Sequence, residues 1–210
     1  MLVVYMKLSV PYVKQINTHS CYIASIEMVL TYSGTKINQK TLYEKSKVLD
    51  PENKNRILGC FEPDIMLALK NKGLKMDWWI NYKSKMKLSK LWQGYFKKYN
   101  SRLEHAKRLG LIKEHKNANI FLIKQFLKKN IPVMIEVQTN AWYNFNKYDK
   151  NETHNVVVLG YEKGKFLVND PFMPYLGKNG KDILISEKHL KISWEAPPYY
   201  RNSMSILRTR

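Results

Sequence analysis

Cysteine is scarce in this sequence, and long apolar segments are absent. Only Cys21 and Cys60 occur among 210 residues, too few for the disulfide framework of a small secreted domain. No run of about 18 apolar residues is present, so we predict no membrane-spanning helix. The apolar start, residues 1–6, is too short for a signal peptide. We therefore expect a cytoplasmic protein with two free thiols, although the sequence leaves a bridge between Cys21 and Cys60 open.

Glycine and proline are also infrequent, with 9 and 8 residues respectively, and neither a repeat nor a low-complexity tract occurs. Hydrophobic residues make up 44% of the chain and charged residues 25%, a composition that is typical of globular proteins and excludes a disordered one. A chain of this length can bury a sizeable core. We predict a single domain over residues 1–210, with a basic helical insertion at about residues 83–116.

Arginine contributes little to the large positive charge. The formal net charge is +19, and only six of the 36 basic residues are arginine. Such a charge favours acidic partners, such as nucleic acid or an anionic membrane surface. Proteins that read bases usually do so with arginine and aromatic residues in recognisable motifs, and the sequence contains none. Binding to nucleic acid or another acidic partner is therefore kept only as an alternative to a solvated, lysine-rich surface.

The spacing of apolar residues changes along the chain from helical to strand-like. Helices are predicted over residues 21–32, over 39–49, from Pro63 onward, and through the basic region 83–130, where Ser101 and Glu104 predict a helix start. Strands are predicted over residues 74–80, 132–137, 154–161, 165–169 and 203–207. Helices early and strands late are typical of an α+β domain, in which an N-terminal helical layer packs on a C-terminal antiparallel sheet.

Four residues together suggest a cysteine nucleophile site. Cys21 lies at the predicted start of the first helix, where the helix dipole and a neighbouring imidazolium lower the pKa of a thiol. His154 opens a strand and would carry the proton, and Asp170 would hold the imidazole in the required tautomer. The backbone N–H of Cys21 and the side-chain amide of Gln15 are candidate donors to the developing oxyanion. Each residue alone has a structural explanation, so the combination carries the hypothesis.

The same residues resemble a known family. The segment Val10–Gly34, with Gln15, Cys21 and a helix that ends in Tyr-Ser-Gly, resembles the bacteriocin-processing cysteine peptidases, which cleave double-glycine leaders. His154–Tyr161 and Phe166–Pro171 are similar to the histidine and aspartate motifs of that family. The resemblance covers about residues 8–34 and 117–172. It implies a papain-like fold and a peptide or protein substrate, with Gln15 in the oxyanion hole, Cys21 as nucleophile, His154 as base and Asp170 as orienting residue.

Two aromatic residues are predicted to contact substrate. Tyr22 stands where the family usually has glycine, so we expect its ring to crowd or reshape the substrate groove. Trp142 is expected to line the same groove, because its loop, Thr139–Thr153, is polar and precedes His154. Cys60 is the alternative nucleophile, but Gly59-Cys60-Phe61 suggests packing and no glutamine stands at the comparable upstream position.

The leading hypothesis is a papain-like cysteine peptidase or amidohydrolase that forms a thioester acyl-enzyme. No metal or cofactor is expected, because paired His and Cys residues at metal-ligand spacing are missing. An acyltransferase or peptide ligase would use the same site with an amine as acceptor. A third hypothesis is a catalytically inactive protein that binds a peptide or a polyanion. The sequence alone does not distinguish these outcomes.

Overall fold

The computed structural model describes residues 6–82, 90–144, 152–197 and 200–209, which form seven α-helices and ten β-strands. The helices are α1 (Cys21–Tyr32), α2 (Gln39–Ser46), α3 (Glu62–Ala68), α4 (Lys90–Arg108), α5 (Ile120–Lys128), α6 (Thr139–Tyr143) and α7 (Glu187–Glu195). The strands are β1 (Met6–Lys7), β2 (Lys47–Leu49), β3 (Ile57–Cys60), β4 (Leu74–Tyr82), β5 (Ile112–His115), β6 (Val133–Gln138), β7 (Thr153–Glu162), β8 (Lys165–Asn169), β9 (Ile183–Ser186) and β10 (Tyr200–Thr209). This confirms the predicted α+β class.

One large sheet organises the described part of the chain. Its strands run in the order β5-β4-β10-β6-β7-β8-β9, and β1 pairs with the end of β7. All neighbouring strands are antiparallel except β4 and β5, which are parallel. Strand β10 therefore lies between β4 and β6 and joins the two halves of the sheet. A separate two-stranded sheet is formed by β2 and β3.

The central strands are covered on both faces. All six residues of β6 are buried, and successive side chains of a strand point to opposite faces, so both faces must be shielded from water. Helix α1 packs against β7, α5 against β6 and β7, and α7 against β6 and β10. Ile23, Ile26 and Leu30 recur at helical spacing and are buried in α1, which explains why this helix lies on the sheet.

The N-terminal helices form a connected layer, as predicted. Helix α2 begins after Asn38, whose side chain accepts a hydrogen bond from the Thr41 N–H at 2.9 Å. Helices α2 and α3 pack together, and α3 also packs against α4. Among the described residues, none of the helices has both the length and the apolar character needed to cross a bilayer.

Several local predictions in the middle of the chain were wrong. Ser101 lies inside α4, which continues without a break from Lys90 to Arg108. Residues 112–115, predicted to be helical, form β5 beside β4. The polar segment after β6, predicted as a loop, begins with the short helix α6. Residues 83–89 and 145–151 lie outside the described residues, and the status of 83–116 as an insertion stays a prediction.

Candidate active site

Cys21 is the first residue of α1, and its side chain is partly exposed. Ser20 precedes the helix, and its carbonyl accepts the Ala24 N–H at 3.0 Å. The Ser20 hydroxyl is engaged with Asn17, with which it exchanges two 3.2 Å hydrogen bonds, rather than with the helix. The thiol therefore stands at the positive end of the α1 dipole.

His154 lies near the start of β7 and is buried. Its Nε2 atom is 2.8 Å from Oδ1 of Asp170. Cys21 is close enough to this ring to be one of the groups that raise the pKa of His154. Because Nε2 faces the carboxylate, Nδ1 is the nitrogen that remains for the thiol. The fold thus brings together three residues that are separated by 133 and 16 positions in the sequence.

The charges of this cluster stabilise one another. Burial alone would lower the pKa of His154, but the charge and hydrogen bond of Asp170, together with Cys21, raise it to about 10. Burial alone would raise the pKa of Asp170, but His154, Trp142 and the backbone N–H of Phe172 hold it below its ordinary value. An imidazolium is therefore available beside the thiol at neutral pH.

Asp170 follows β8 and has no exposed surface. Besides His154, it accepts hydrogen bonds from Trp142 Nε1 to Oδ2 at 2.7 Å and from the Phe172 N–H to Oδ1 at 2.9 Å. The hydroxyl of Tyr143 lies 3.0 Å from Oδ2 and 3.2 Å from Oδ1. A carboxylate so fully removed from water needs donors of this kind to remain ionised.

Gln15 lies between the nucleophile loop and the loop after β8. It is 1% exposed, and its backbone N–H donates to the Pro171 carbonyl at 3.3 Å. Its side-chain Nε2 donates to the carbonyl of Asn17 at 2.6 Å. The structure therefore places Gln15 within the same loop cluster as Cys21 and Asp170.

The two predicted substrate-contacting aromatics lie in the interior. Tyr22 is 7% exposed, and its hydroxyl faces Met76 Sδ at 3.4 Å and Ser205 Oγ at 3.5 Å. Trp142 is 4% exposed and donates to Asp170. Because Tyr22 follows Cys21 on the helix face turned to the sheet, its ring packs in the core and does not crowd a groove. Both side chains are largely buried, and their contact with a substrate stays a prediction.

Cys60, the alternative nucleophile, is less suited to attack. Its Sγ atom lies 3.8 Å from the His19 carbonyl, and both cysteines are free thiols. Burial raises the pKa of the Cys60 thiol to about 12, and the neighbouring Cys21 and Glu62 add to the rise. Since only a thiolate is an effective nucleophile, this thiol is disfavoured at neutral pH.

Several residues of the cluster were missed by sequence reasoning. Tyr143 and Phe172 contact Asp170 directly, and the Tyr12 hydroxyl donates to the Asp170 carbonyl at 3.1 Å. Gly180 carries the carbonyl that accepts the Asp170 N–H at 2.8 Å. The aromatic pair in a polar segment just before His154 was a visible signal for Trp142 and Tyr143. No comparable signal marked Tyr12 or Gly180. Within the described ranges, no group of three or more His, Cys, Asp and Glu residues could hold a metal ion.

A comparison with protein families assigns the chain to one family. The profile of the Peptidase_C39 like family matches residues 7–200, nearly the whole chain. The chain belongs to this family. No curated protein sequence matches it.

Solved structures of the family share the fold. A C39-like peptidase from Bacillus anthracis superposes with a TM-score of 0.61 at 16% identity, covering 99% of this chain and 98% of its own. The peptidase domain of Streptococcus ComA, a bi-functional ABC transporter, gives 0.52 at 16% identity, with 98% and 99% covered. A double glycine motif protease from an AMS/PCAT transporter, in complex with its leader peptide, gives 0.50 at 16% identity, with 99% and 97% covered. The family and these neighbours establish the predicted papain-like cysteine peptidase fold.

Proposed function

We propose that this protein is a cysteine peptidase that cleaves peptide bonds through Cys21, His154 and Asp170. The observation that carries the proposal is the pairing of His154 Nε2 with Asp170 at 2.8 Å, with Cys21 near enough to the ring to raise its pKa. The membership of the chain in a peptidase family supports the same conclusion.

The proposed reaction proceeds in two stages. The Cys21 thiolate attacks the scissile carbonyl carbon, and the C–N bond then breaks as His154 gives its proton to the leaving amine. The acyl group remains on sulfur as a thioester. Neutral His154 next takes a proton from water, whose hydroxide attacks the thioester, and the acid product leaves with the thiolate restored. Asp170 stays ionised and keeps the imidazole in place throughout.

The oxyanion of each tetrahedral intermediate needs donors that are already in position. The backbone N–H of Cys21 belongs to the first turn of α1, where N–H groups have no partner within the helix. We propose this group and the Gln15 side-chain amide as the donors. The loop bond from the Gln15 N–H to the Pro171 carbonyl keeps the glutamine beside the rest of the site.

A peptide is the proposed substrate. One structural neighbour, the double glycine motif protease, was solved in complex with a leader peptide. A related fold that was solved with a bound peptide supports the same substrate class here. No specific observation favours an acyltransferase or a ligase over hydrolysis.

The two cysteines provide a matched test. A peptide carrying an electrophilic vinyl sulfone at its carboxyl end is incubated with wild type, Cys21→Ala and Cys60→Ala, and mass spectrometry locates the adduct. We expect labelling of Cys21 in wild type and Cys60→Ala, and none in Cys21→Ala. Hydrolysis of a peptide library should follow the same pattern, and an added amine will reveal any transfer product. The assignment is contradicted if Cys21→Ala is labelled as strongly as wild type, or if Cys60→Ala is no longer labelled.

A further inference from the structure

Helix α6 is a single short turn that delivers two side chains to Asp170. It begins after Gln138, whose Oε1 atom accepts the Ala141 N–H at 2.7 Å. It ends at Asn144, which adopts a left-handed conformation with φ of 57°. Its last two residues, Trp142 and Tyr143, both donate hydrogen bonds to the Asp170 carboxylate.

The two carboxylate oxygens have different surroundings. Oδ1 lies 2.8 Å from His154 Nε2 and 2.9 Å from the Phe172 N–H. Oδ2 is held by Trp142 Nε1 at 2.7 Å and by the Tyr143 hydroxyl at 3.0 Å. Because Oδ2 is anchored by α6, rotation of the carboxylate away from the imidazole would break two hydrogen bonds that no water replaces, since Asp170 is fully buried.

The anchoring helix is itself fixed to its neighbours. His189 Nε2, on α7, donates to the Trp142 carbonyl at 2.9 Å, and the two rings lie 5.8 Å apart. The Tyr143 ring lies 5.7 Å from His154 and 5.9 Å from Phe172. Side chains locked in this way can hold a catalytic group in one orientation.

We propose that Trp142 and Tyr143 are positioning residues that keep Asp170 ionised and aimed at His154. The inference rests on the proposed function, because it gives these donors a part in the same reaction. Neither residue touches the sulfur or a substrate in this role. Of the two, Trp142 matters more, because its N–H is directed at Oδ2 alone and its bond is shorter.

Among the described residues, the titratable groups that face Asp170 are His154 from β7, Tyr143 from α6, and Tyr12 from the segment before α1. The Tyr12 hydroxyl donates to the Asp170 backbone carbonyl. Burial, with the Asp170 charge, raises the pKa of Tyr12 to about 12, so this group stays neutral over the range of the test. Removing a donor from the carboxylate destabilises its ionised form and should raise the pKa of Asp170.

The test compares Trp142→Phe and Tyr143→Phe with two matched controls. Trp194→Phe removes an indole N–H that donates at 2.7 Å to the Ser203 carbonyl. Tyr161→Phe removes a hydroxyl that donates at 3.1 Å to Glu187. Both controls delete the same chemical group at a distance from the site. The readouts are the ¹³Cγ resonance of Asp170 on titration with acid, assigned with Asp170→Asn, and the separate values of kcat and KM on a cleaved peptide.

In Trp142→Phe we expect the Asp170 midpoint to rise by about one pH unit or more, and kcat to fall about 10- to 100-fold with KM nearly unchanged. Tyr143→Phe should change the Asp170 midpoint and kcat in the same directions but by less, and the two control variants should match wild type. An unchanged Asp170 midpoint in both site variants, or an equal change in the controls, overturns the proposal. Tyr143→Phe removes only a hydroxyl, so it remains informative if Trp142→Phe does not fold.

The titration needs no turnover, which separates the two proposals. If the site variants raise the Asp170 midpoint but the wild-type protein cleaves no peptide, the positioning role stands and the proposed function is overturned. If wild type cleaves peptides but the Asp170 midpoint is unchanged in both site variants, the proposed function stands and the positioning role is overturned.

Discussion

The carbonyl of Gly180 accepts the backbone N–H of Asp170 at 2.8 Å, and the two residues lie so close that no side chain fits between them. A Cβ at position 180 would lie far inside van der Waals distance of the Asp170 carbonyl oxygen, and 2.5 Å from the Tyr12 hydroxyl. Neither neighbour can move away easily, because the Asp170 oxygen belongs to the backbone and the Tyr12 hydroxyl is hydrogen-bonded to that oxygen. Glycine at position 180 is therefore required for the Asp170 loop to pack as it does.

Gly180→Ala should displace the Asp170 loop and lower kcat/KM by about 100-fold, since a shift of about 1 Å in a catalytic group has that effect. Gly94→Ala is the matched control, because Gly94 lies within α4 with no atom within 4 Å of an added Cβ. That variant should keep full activity and gain a little stability. Steady-state kinetics and thermal unfolding of both variants check the prediction, and wild-type activity in Gly180→Ala would refute it.

Gln15→Ala should lower kcat by about 100- to 1000-fold, the usual effect of losing one oxyanion donor. Alkylation of Cys21 by iodoacetamide should change little, because this reaction forms no oxyanion. Gln39→Ala is the control, since the Gln39 amide also donates to a backbone carbonyl, that of Lys14 at 3.1 Å, but from α2. Equal losses of kcat in the two variants would argue that Gln15 only stabilises its loop.

Tyr22→Gly, which restores the residue usual in the family, should destabilise the protein by about 3–5 kcal/mol, because it empties a core position and places glycine in a helix. Tyr22→Phe should lose much less, since it keeps the ring and removes only a hydroxyl that faces Met76 and Ser205. Chemical denaturation measures both. If the ring instead crowded a groove, Tyr22→Gly would lower KM for peptides.

Glu62 should make the protein less stable as the pH rises. Burial and the nearby Glu136 raise the pKa of Glu62 to about 8 in the folded state. An unfolded glutamate titrates near about 4.3, so between these values the folded state binds the extra proton. The stabilisation is complete below the lower value and is lost as the pH approaches 8.

Glu62→Gln should therefore flatten the decline in unfolding free energy between pH 5 and 8.5, and the variant should be more stable than wild type at the upper end. The Tyr99 hydroxyl, which donates to Glu62 at 3.3 Å, can still donate to the amide oxygen. Glu104→Gln, an exposed change on α4, is the control. Denaturant titrations across this range decide the matter, and a decline as steep in Glu62→Gln as in wild type would contradict the assignment. The raised His154 pKa acts in the same direction, so only the difference between variants is diagnostic.

Sequence reasoning grouped Cys21, His154 and Asp170 because each of them carries a local signal. Cys21 follows an N-cap serine, His154 opens a run of valines, and Asp170 precedes proline. Strands with strong apolar patterns, such as β7 and β8, were also found, as was α1. These features depend on residues close together in the chain, where periodicity and caps are informative.

The features that sequence reasoning did not predict depend on contacts between distant segments of the chain. Tyr22 belongs to the core only because α1 packs on the sheet, where the Tyr22 hydroxyl faces Met76 of β4 and Ser205 of β10. The short strand β5 forms because β4 offers an unpaired edge beside it, and tertiary pairing of this kind overrides local preference. The hydrogen bond of Trp142 forms because α6 turns its indole towards a carboxylate 28 residues away.

The placement of β10 has a consequence for synthesis. Residues 200–209 lie between β4 and β6, so a growing polypeptide cannot close its sheet while these residues are still inside the ribosome. The pairing of β10 with β4 spans more than 100 positions, which is a slow step for a chain to complete. Nascent molecules should therefore gain their finished form only after residues 200–209 have left the ribosome, and any cleavage activity should be absent from shorter nascent chains.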